Sequence, residues 1–530
     1  MPKRGRSSDS RNPLSSARKD SATKNGSTIK KADLTAQSLW HRKSGAGYHL
    51  FVSYYGAQPM GVVADDADLV GRGGNLVDGM NGGGADKSNN GMSRAAKKRR
   101  RQKKKSGASD AASHQKDSNR HDDALVSCTD DDAISHNQQD ASHPLLQAFT
   151  STNNHPHLTP FLHALSRPLP LTLRFREHEQ SNSMGLIKRL STEHSDLLCP
   201  VSYDPTNTIY QAAPNSSLCK SNLTKMSPKL KDLIVAGSMN GTLARQELGS
   251  MLPVLSLYGV GAIQAGSKVL DLCASPGSKT LQALEIVSVQ SNGKRGKVIA
   301  NDVHPKRLDT LRAAVLRSGL PESLTAQVTY TNYDASIFPA PKSGKLFDAI
   351  MCDVPCGGDG TIRKDKHILP MWSPKTSNEL HGLQLKILLR ALTLVKVGGV
   401  VCYSTCSLNP IEDEAVVSAA LGRDENDSAF ELLDWPEKML PGFVRRPGVT
   451  DWKVAFYDQN NVDKDEDDFG SLSFFNSYET ALAAGMEDAK PSFWPDSTQN
   501  KRVRLDQCTR LFPQDQDTGG FFIALIKRII

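Results

Sequence analysis

The chain of 530 residues has 38% hydrophobic residues and a formal net charge of +8. That length allows two or three domains, and the apolar share is below the roughly 45–50% of packed globular chains, so a sizeable part stands outside a core. No uninterrupted apolar stretch has the roughly 18 residues of a membrane-spanning helix, and MPKRGRSSDSRNPLSSARKD at the start lacks the apolar segment of a secretory leader.

Nine cysteines are scattered over the chain without a CxxC pair. Their odd number and scatter predict reduced thiols. The pairs 352–356 and 402–406 each begin inside an apolar run, so no structural metal site is expected.

Residues 1–110 hold 22 Lys/Arg and 9 Asp/Glu, a net of +13, leaving −5 for the remaining 420. The basicity belongs to the N-terminal arm. Residues 1–143 are expected to be mostly disordered, with a short aromatic patch from Tyr48 to Tyr55. Within them Arg94 to Lys105 (RAAKKRRRQKKK) places nine basic residues in twelve, the composition of a nuclear localisation signal or a nucleic-acid arm.

Structured patterning resumes near Pro144. Residues 144–250 predict a small α+β domain, which the family resemblance below makes RNA-binding, with a strand at PLTLRF (170–175) and a helix at MGLIKRLS (184–191). From residue 251 onward strands alternate with helices. Strands are expected at KVLDLC (268–273), KVIAND (297–302), TAQVTYTN (325–332), FDAIMCDV (347–354), VVCYSTC (400–406) and GGFFIALIKR (519–528). Between them, HPKRLDTLRAAVLRSGL (304–320) sets Leu308, Leu311, Val315 and Leu316 on one helical face. LQLKILLRALTLVKVGG (383–399) reads as a helix up to its glycines, and IEDEAVVSAAL (411–421) as another. Residues 457–500, polar and acid-rich, read as a surface insertion. Buried strands alternating with helices imply a Rossmann-like, mostly parallel sheet covered on both faces.

Ligands of such sheets sit at the carboxyl ends of the strands. The first strand opens into DLCASPGSK (271–279), where Gly277 allows close approach to the backbone. The turn is neither GxGxxG nor a P-loop. Asp302 ends the second strand, placed to accept two ribose hydroxyls, and Asp334 ends the third, within reach of an adenine. Each acid alone would be a surface or capping residue. Together they describe an adenosine-type ligand without a phosphate site, which fits S-adenosylmethionine better than a dinucleotide.

The fourth strand ends in DVPCGGDG (353–360), with a thiol where amine-directed nucleic-acid methyltransferases carry an aromatic. The fifth ends in YSTCSLNPIEDE (403–414). Asn409, Pro410 and Glu412 read as cap, first residue and capping-box partner of the next helix, so Cys406 would lie just before a positive helix end that favours its thiolate. Buried small hydrophobes are the ordinary reading of lone cysteines, applied here to Cys352 and Cys402. Cys356 and Cys406 instead fall at adjacent strand ends. A thiolate adding to C6 of cytosine makes C5 nucleophilic, and an acid near N3, here Asp353, assists the addition. The base has to be single-stranded or flipped out.

These residues resemble the Nop/Sun family of RNA cytosine-5 methyltransferases, through DLCASPGSKT, DVPCGGDG and STCSLNPIEDE in that order. GDGTIRK (358–364), LHGLQLKILLRAL (380–392), LPGFVRRPGVTDWKV (440–454) and DTGGFFIALIK (517–527) are most similar to its eukaryotic nuclear tRNA branch, with further likeness at RQELGSMLPVLSL (245–257), RPLPLTLRF (167–175) and Leu50 to Gln58. The resemblance implies a class I S-adenosylmethionine-dependent methyltransferase domain over 251–530. It assigns Cys406 as nucleophile, Cys356 to product release, and Asp353 and Lys279 to the catalytic group. Cofactor contacts carry over to Cys273, Ala274, Ser275, Pro276, Gly277, Ser278, Lys279, Asp302, Asp334 and Asp353. It also implies a monomeric nuclear protein acting on tRNA, without a membrane. Arg363, Lys364 and Lys366 are candidate phosphate contacts. The chain departs from the family at 59–140 and 457–500, and it stops at the sheet's final strand, where the tRNA branch continues into a further domain. Two alternatives stay open at this point: an rRNA cytosine-5 methyltransferase of the nucleolus, and a non-catalytic RNA-binding assembly factor on the same fold.

Overall fold

Two principal sheets carry the chain in a computed structural model that describes residues 46–58, 158–176, 180–290, 295–423, 428–458, 471–495 and 503–530. Most of the basic arm, including Arg94 to Lys105, falls outside the described residues.

Among the described residues the first element is helix α1 (Ala46–Ala57), and the next is α2 (Leu158–Ser166). The aromatic patch is therefore a folded element rather than part of a tail. Leu50, Phe51, Val52, Tyr54 and Tyr55 are all buried, and a helix apolar nearly all round has to be covered on most sides.

A small antiparallel sheet comes next, made of β1 (Thr172–Phe175), β2 (Leu198–Pro200), β3 (Ile209–Ala212) and β4 (Leu243–Arg245) in the order β2-β3-β1-β4. Helices α3 (Gln180–Glu193) and α4 (Pro228–Met239) accompany it. All four residues of β1 are buried, including Arg174. Its charge is tolerated because both terminal nitrogens bond Glu285, at 2.6 and 3.0 Å.

Helix α5 (Leu248–Gly259) leads into the large sheet, its N-terminus capped by the Glu247 carboxylate on Gly249 N and Ser250 N. The succession is β5 (Lys268–Asp271), α6 (Ser278–Val287), β6 (Lys297–Asn301), α7 (Pro305–Leu316), β7 (Val328–Thr331), β8 (Phe347–Asp353), α8 (Pro374–Leu394), β9 (Val395–Thr405), α9 (Glu414–Leu421), β10 (Phe430–Leu433), β11 (Arg446–Pro447), β12 (Val454–Asp458), β13 (Ser471–Phe475), α10 (Tyr478–Ala483), β14 (Thr509–Leu511) and β15 (Phe521–Arg528). Spatially the sheet runs β11-β14-β15-β9-β8-β5-β6-β7, with β10 also on β15. Strands β7-β6-β5-β8-β9 are mutually parallel, whereas β15, β14, β11 and β10 pair antiparallel. An antiparallel strand against the fifth parallel one completes the class I methyltransferase fold. The parallel character is confined to that half. The chain order reverses between β5 and β8, which opens a crevice at their carboxyl ends.

Three sequence expectations shift. Leu316 is 84% exposed, while Leu308, Leu311 and Val315 are buried, so the apolar face of α7 is narrower than read. Helix α8 stops at Leu394, and VKVGG belongs to β9. Phe347 opposes Val395 and Ala349 opposes Val400, a bulge that Gly398 allows with φ +77°. The stretch read as a surface insertion supplies β13 to a hairpin with β12, which starts ahead of it at Val454, and it contributes fully buried Ala481 and Phe493 to the main core. Its polar composition concealed a few apolar anchors.

Candidate active site

The turn after β5 is held from the neighbouring strand end. Asn301, fully buried at the end of β6, donates to Leu272 O (3.0 Å) and Tyr333 O (2.9 Å), and its Oδ1 accepts from Thr331 and Tyr333 N. One amide thus ties together the ends of β5, β6 and β7. Ser275 and Arg307 exchange hydrogen bonds at 2.8 and 2.9 Å, fixing the turn to the start of α7. Gly277 has φ +113°, and a Cβ there would stand 2.6 Å from Leu311 Cδ1, so glycine is required on two grounds.

Asp302 follows β6 directly, and Asp334 follows β7 by three residues. Asp302 is buried, accepts from His304 N at 2.9 Å and pairs with Arg307 at 3.2 Å. Asp334 is exposed and caps a short turn through Ser336. Ionised carboxylates offer about four lone-pair sites each, so both retain acceptor capacity for sugar or base donors. These acceptors fit the hydroxyl and amino donors of an uncharged adenosine moiety. The Cys273 thiol is pushed well up by burial and by Asp271, and stays protonated. Burial raises the Asp271 carboxyl to about 7, although a 2.6 Å bond from Thr280 acts against the shift.

At the next strand ends Asp353 faces Ser404 in parallel register. Asp353 Oδ1 accepts from Ser404 Oγ at 2.8 Å, and Oδ2 accepts from Lys279 Nζ at 2.8 Å. Lys279 also reaches Ser250 Oγ at 3.3 Å and lies 5.3 Å over the Phe521 ring. Burial would lower the Lys279 pKa, but Asp353 outweighs it, with Cys406 adding to the upward shift, so the net change is a rise. The ammonium is therefore kept charged beside both groups.

Cys356 and Cys406 come together, Sγ to Sγ 3.2 Å, both partly accessible. The Cys356 thiol is raised well above its ordinary range, first by its hydrogen bond to Cys406 and then by burial. Cys352 and Cys402 are fully buried, the second with its thiol pushed up to about 12 by burial, as their small-hydrophobe reading implied.

The helix after Cys406 does not begin where expected. It starts at Glu414, and residues 410–413 form turns. Cys406 therefore stands eight residues ahead of the helix, and the proposed dipole is replaced by the Lys279 charge as the nearby positive group. Glu412, read as a helix cap, is a buried bridge between the two cysteine loops. It accepts from Gly357 N (2.8 Å) on one loop and Ser407 Oγ (2.9 Å) on the other, with Ser377 and Gln384 completing the set. Gly360 N donates to Cys406 O at 2.9 Å. A further correction concerns Arg363. It is 6% exposed, and four of its five N–H donors go to Arg167 O, Pro168 O, Thr518 O and Asp517, so the guanidinium is turned inward and away from phosphate. Lys364 and Lys366 are exposed.

Ser250, Asn301 and Glu412 were not legible as site residues. Three successive acids, Glu412 to Glu414, were the available signal: all are fully buried, and Arg510 bonds Glu414.

Residues 260–463 match the family described as 16S rRNA methyltransferase RsmB/F. A multisite-specific tRNA:(cytosine-C(5))-methyltransferase of Schizosaccharomyces pombe, trm4b, is 34% identical over 407 residues, spanning 69% of this chain and 56% of that protein. Its Saccharomyces cerevisiae counterpart is 33% identical, over 68% and 51%. The ribosomal RNA small subunit methyltransferase F of Escherichia coli is 37% identical over 34% and 35%. The chain spans about half the length of the yeast relatives it matches. With the strand order and two sulfurs at adjoining strand ends, these matches establish that the chain belongs to the RsmB/F (Nop/Sun) family.

Proposed function

We propose that this chain methylates carbon 5 of cytosine in tRNA, with S-adenosylmethionine as methyl donor and Cys406 as nucleophile. The 3.2 Å contact between Cys356 and Cys406, beside the Lys279–Asp353 pair, carries the reading. Loop 273–279 would hold the cofactor, with Asp302 at the ribose, Asp334 toward the adenine and Asp353 at the amino-acid end. When bound, the cofactor supplies an electrophilic methyl sulfonium.

The protein's part begins with the Cys406 thiolate, which forms a bond to C6 while N3 takes a proton from the Asp353–Lys279 pair. C5 then carries the electron density that accepts the methyl group. Loss of the C5 proton to solvent breaks the S–C6 bond, N3 returns its proton to the Asp353–Lys279 pair and the ring is restored, and the Cys356 thiol stabilises the departing sulfur by a hydrogen bond.

The tRNA assignment rests on the relatives that cover more than two thirds of this chain and are named for tRNA, against one third for the rRNA enzyme. RNA contacts are proposed for the small β2-β3-β1-β4 sheet and for Lys364 and Lys366. A monomeric state and a nuclear address at Arg94–Lys105 complete the proposal. Among the described residues no helix is long and apolar enough to cross a membrane.

The test is labelled methyl transfer to tRNA and rRNA transcripts, with bisulfite sequencing of the products. Wild type should label tRNA cytosines and Cys406→Ala should label none. Labelling of rRNA alone would reassign the substrate. Equal labelling by Cys406→Ala would remove the nucleophile.

A further inference from the structure

Helix α1 reaches both cysteine loops through the hydroxyls of two adjacent tyrosines. Tyr54 donates to Asn409 Oδ1 at 2.7 Å, and Tyr55 donates to Asp359 Oδ2. Asp359 is 1% exposed and lies three residues after Cys356. Its other oxygen accepts from Leu408 N at 2.8 Å, two residues after Cys406, so one carboxylate spans both loops. Trp372 Nε1 adds a 3.3 Å bond to it. Asn409 is fully buried, its Oδ1 accepts from Ile411 N as well as from Tyr54, and its Nδ2 has no partner among the described residues.

The helix itself is firmly seated. Phe51 and Tyr54 meet the Trp372 ring at 5.3 and 5.2 Å, and Gln58 exchanges bonds with the backbone of Lys453 at 2.8 and 3.2 Å. Packing alone would be served by phenylalanine, because a buried hydroxyl costs free energy unless it is bonded. Here both hydroxyls are spent on polar groups of the cysteine loops. Burial and the Asp359 charge raise both phenols well above their ordinary range, so they remain donors.

We propose that α1 is a positioning element of the active site, in which Tyr55 and Tyr54 set the register of the Cys356 and Cys406 loops through Asp359 and Asn409. This rests on the reading of Cys406 as nucleophile. The physical reason is the loops' own geometry: Gly360 N donates to Cys406 O at 2.9 Å and Asp359 accepts from Leu408 N, so polar contacts set their register beside an apolar cluster of Leu408, Ile362 and Trp372 with α1. Loss of one donor leaves a buried carboxylate short of a partner, and the loop moves to find another.

The test compares full-length wild type, Tyr54→Phe, Tyr55→Phe and the double variant, each assayed well below its melting temperature. Single-turnover methyl transfer should fall about tenfold or more in Tyr55→Phe, as a small misplacement of reacting groups does, with KM for RNA and cofactor unchanged. Rates within twofold of wild type overturn the proposal. A readout independent of catalysis uses diamide. The two thiols lose two protons and two electrons to the diazene, which becomes a hydrazine, and a Cys356–Cys406 disulfide forms. Peptide mass spectrometry should show it forming severalfold more slowly in the variants, while maleimide labelling of Cys199 is unchanged. Equal rates overturn the proposal. Cys406→Ser serves as the separate control: if it still methylates, the nucleophile reading fails, and the diamide rates alone judge the tyrosines.

Discussion

Although fifty residues separate them in sequence, the sulfur atoms of Cys356 and Cys406 lie 3.2 Å apart. Parallel pairing of β8 with β9 places Asp353 opposite Ser404, and Cys356 follows its strand end by three residues and Cys406 by one. The two sulfurs share a hydrogen bond, and their parts in the proposed reaction are unequal.

That inequality predicts separate phenotypes. Cys356→Ala should keep the addition of Cys406 to cytosine and lose the group that stabilises the departing sulfur. A covalent RNA adduct should accumulate, visible as a slowed band on a denaturing gel, with multiple turnover falling about a hundredfold or more. An active Cys356→Ala protein without the adduct would remove the release role.

Gly360 is a steric hinge point between the loops. A Cβ there would stand 2.3 Å from Gly520 O and 2.7 Å from Cys406 O. Both contacts are with backbone, which has no rotamer to yield. Gly360→Ala should reduce methyl transfer about tenfold or more and lower the melting temperature, since overpacking commonly costs about 1–3 kcal/mol. Calorimetry and a single-turnover assay check the two effects; unchanged values in both would contradict the geometry.

Asp271 gives stability a pH dependence. Its folded pKa is raised by burial from the ordinary 3.8 to about 7. Folding therefore favours the protonated acid. The contribution is fully present below 3.8 and is lost as pH rises through about 7. Asp271→Asn keeps an acceptor for Thr280 and removes the titration. The melting temperature of the variant, relative to wild type, should rise between pH 5 and pH 8. A constant difference over that range would show that Asp271 is ionised throughout.

Arg363 and its neighbours should separate stability from RNA affinity. Arg363→Ala strands several buried carbonyls and Asp517, a loss of about 2–4 kcal/mol, and should lower the melting temperature with little change in RNA affinity of the folded protein. Lys364→Ala and Lys366→Ala should do the reverse. Each should weaken RNA binding and reduce the slope of log affinity against log salt by up to about one. Filter binding at several salt concentrations, beside thermal melts, checks both.

The legible parts of this protein were local ones. A strand buried on both faces writes itself as an apolar run, which is why β5 and β8 were readable, and strand-end chemistry is contiguous in sequence, which is why Gly277, Asp302, Asp353, Cys356 and Cys406 were readable as candidates. What remained hidden depends on partners distant in the chain. Arg363 looked like a surface cation because its acceptors come from residues 167, 168, 517 and 518. Glu412 looked like a helix cap because its donors come from residues 357, 377 and 384 as well as Ser407. Tyr54 and Tyr55 looked like an isolated aromatic patch because the loops they hold lie some 300 residues away. Periodicity and strand-end motifs were determined by the sequence by itself. Tertiary structure alone decided which buried polar groups meet, because a hydrogen bond depends on position in space and leaves no spacing in the chain.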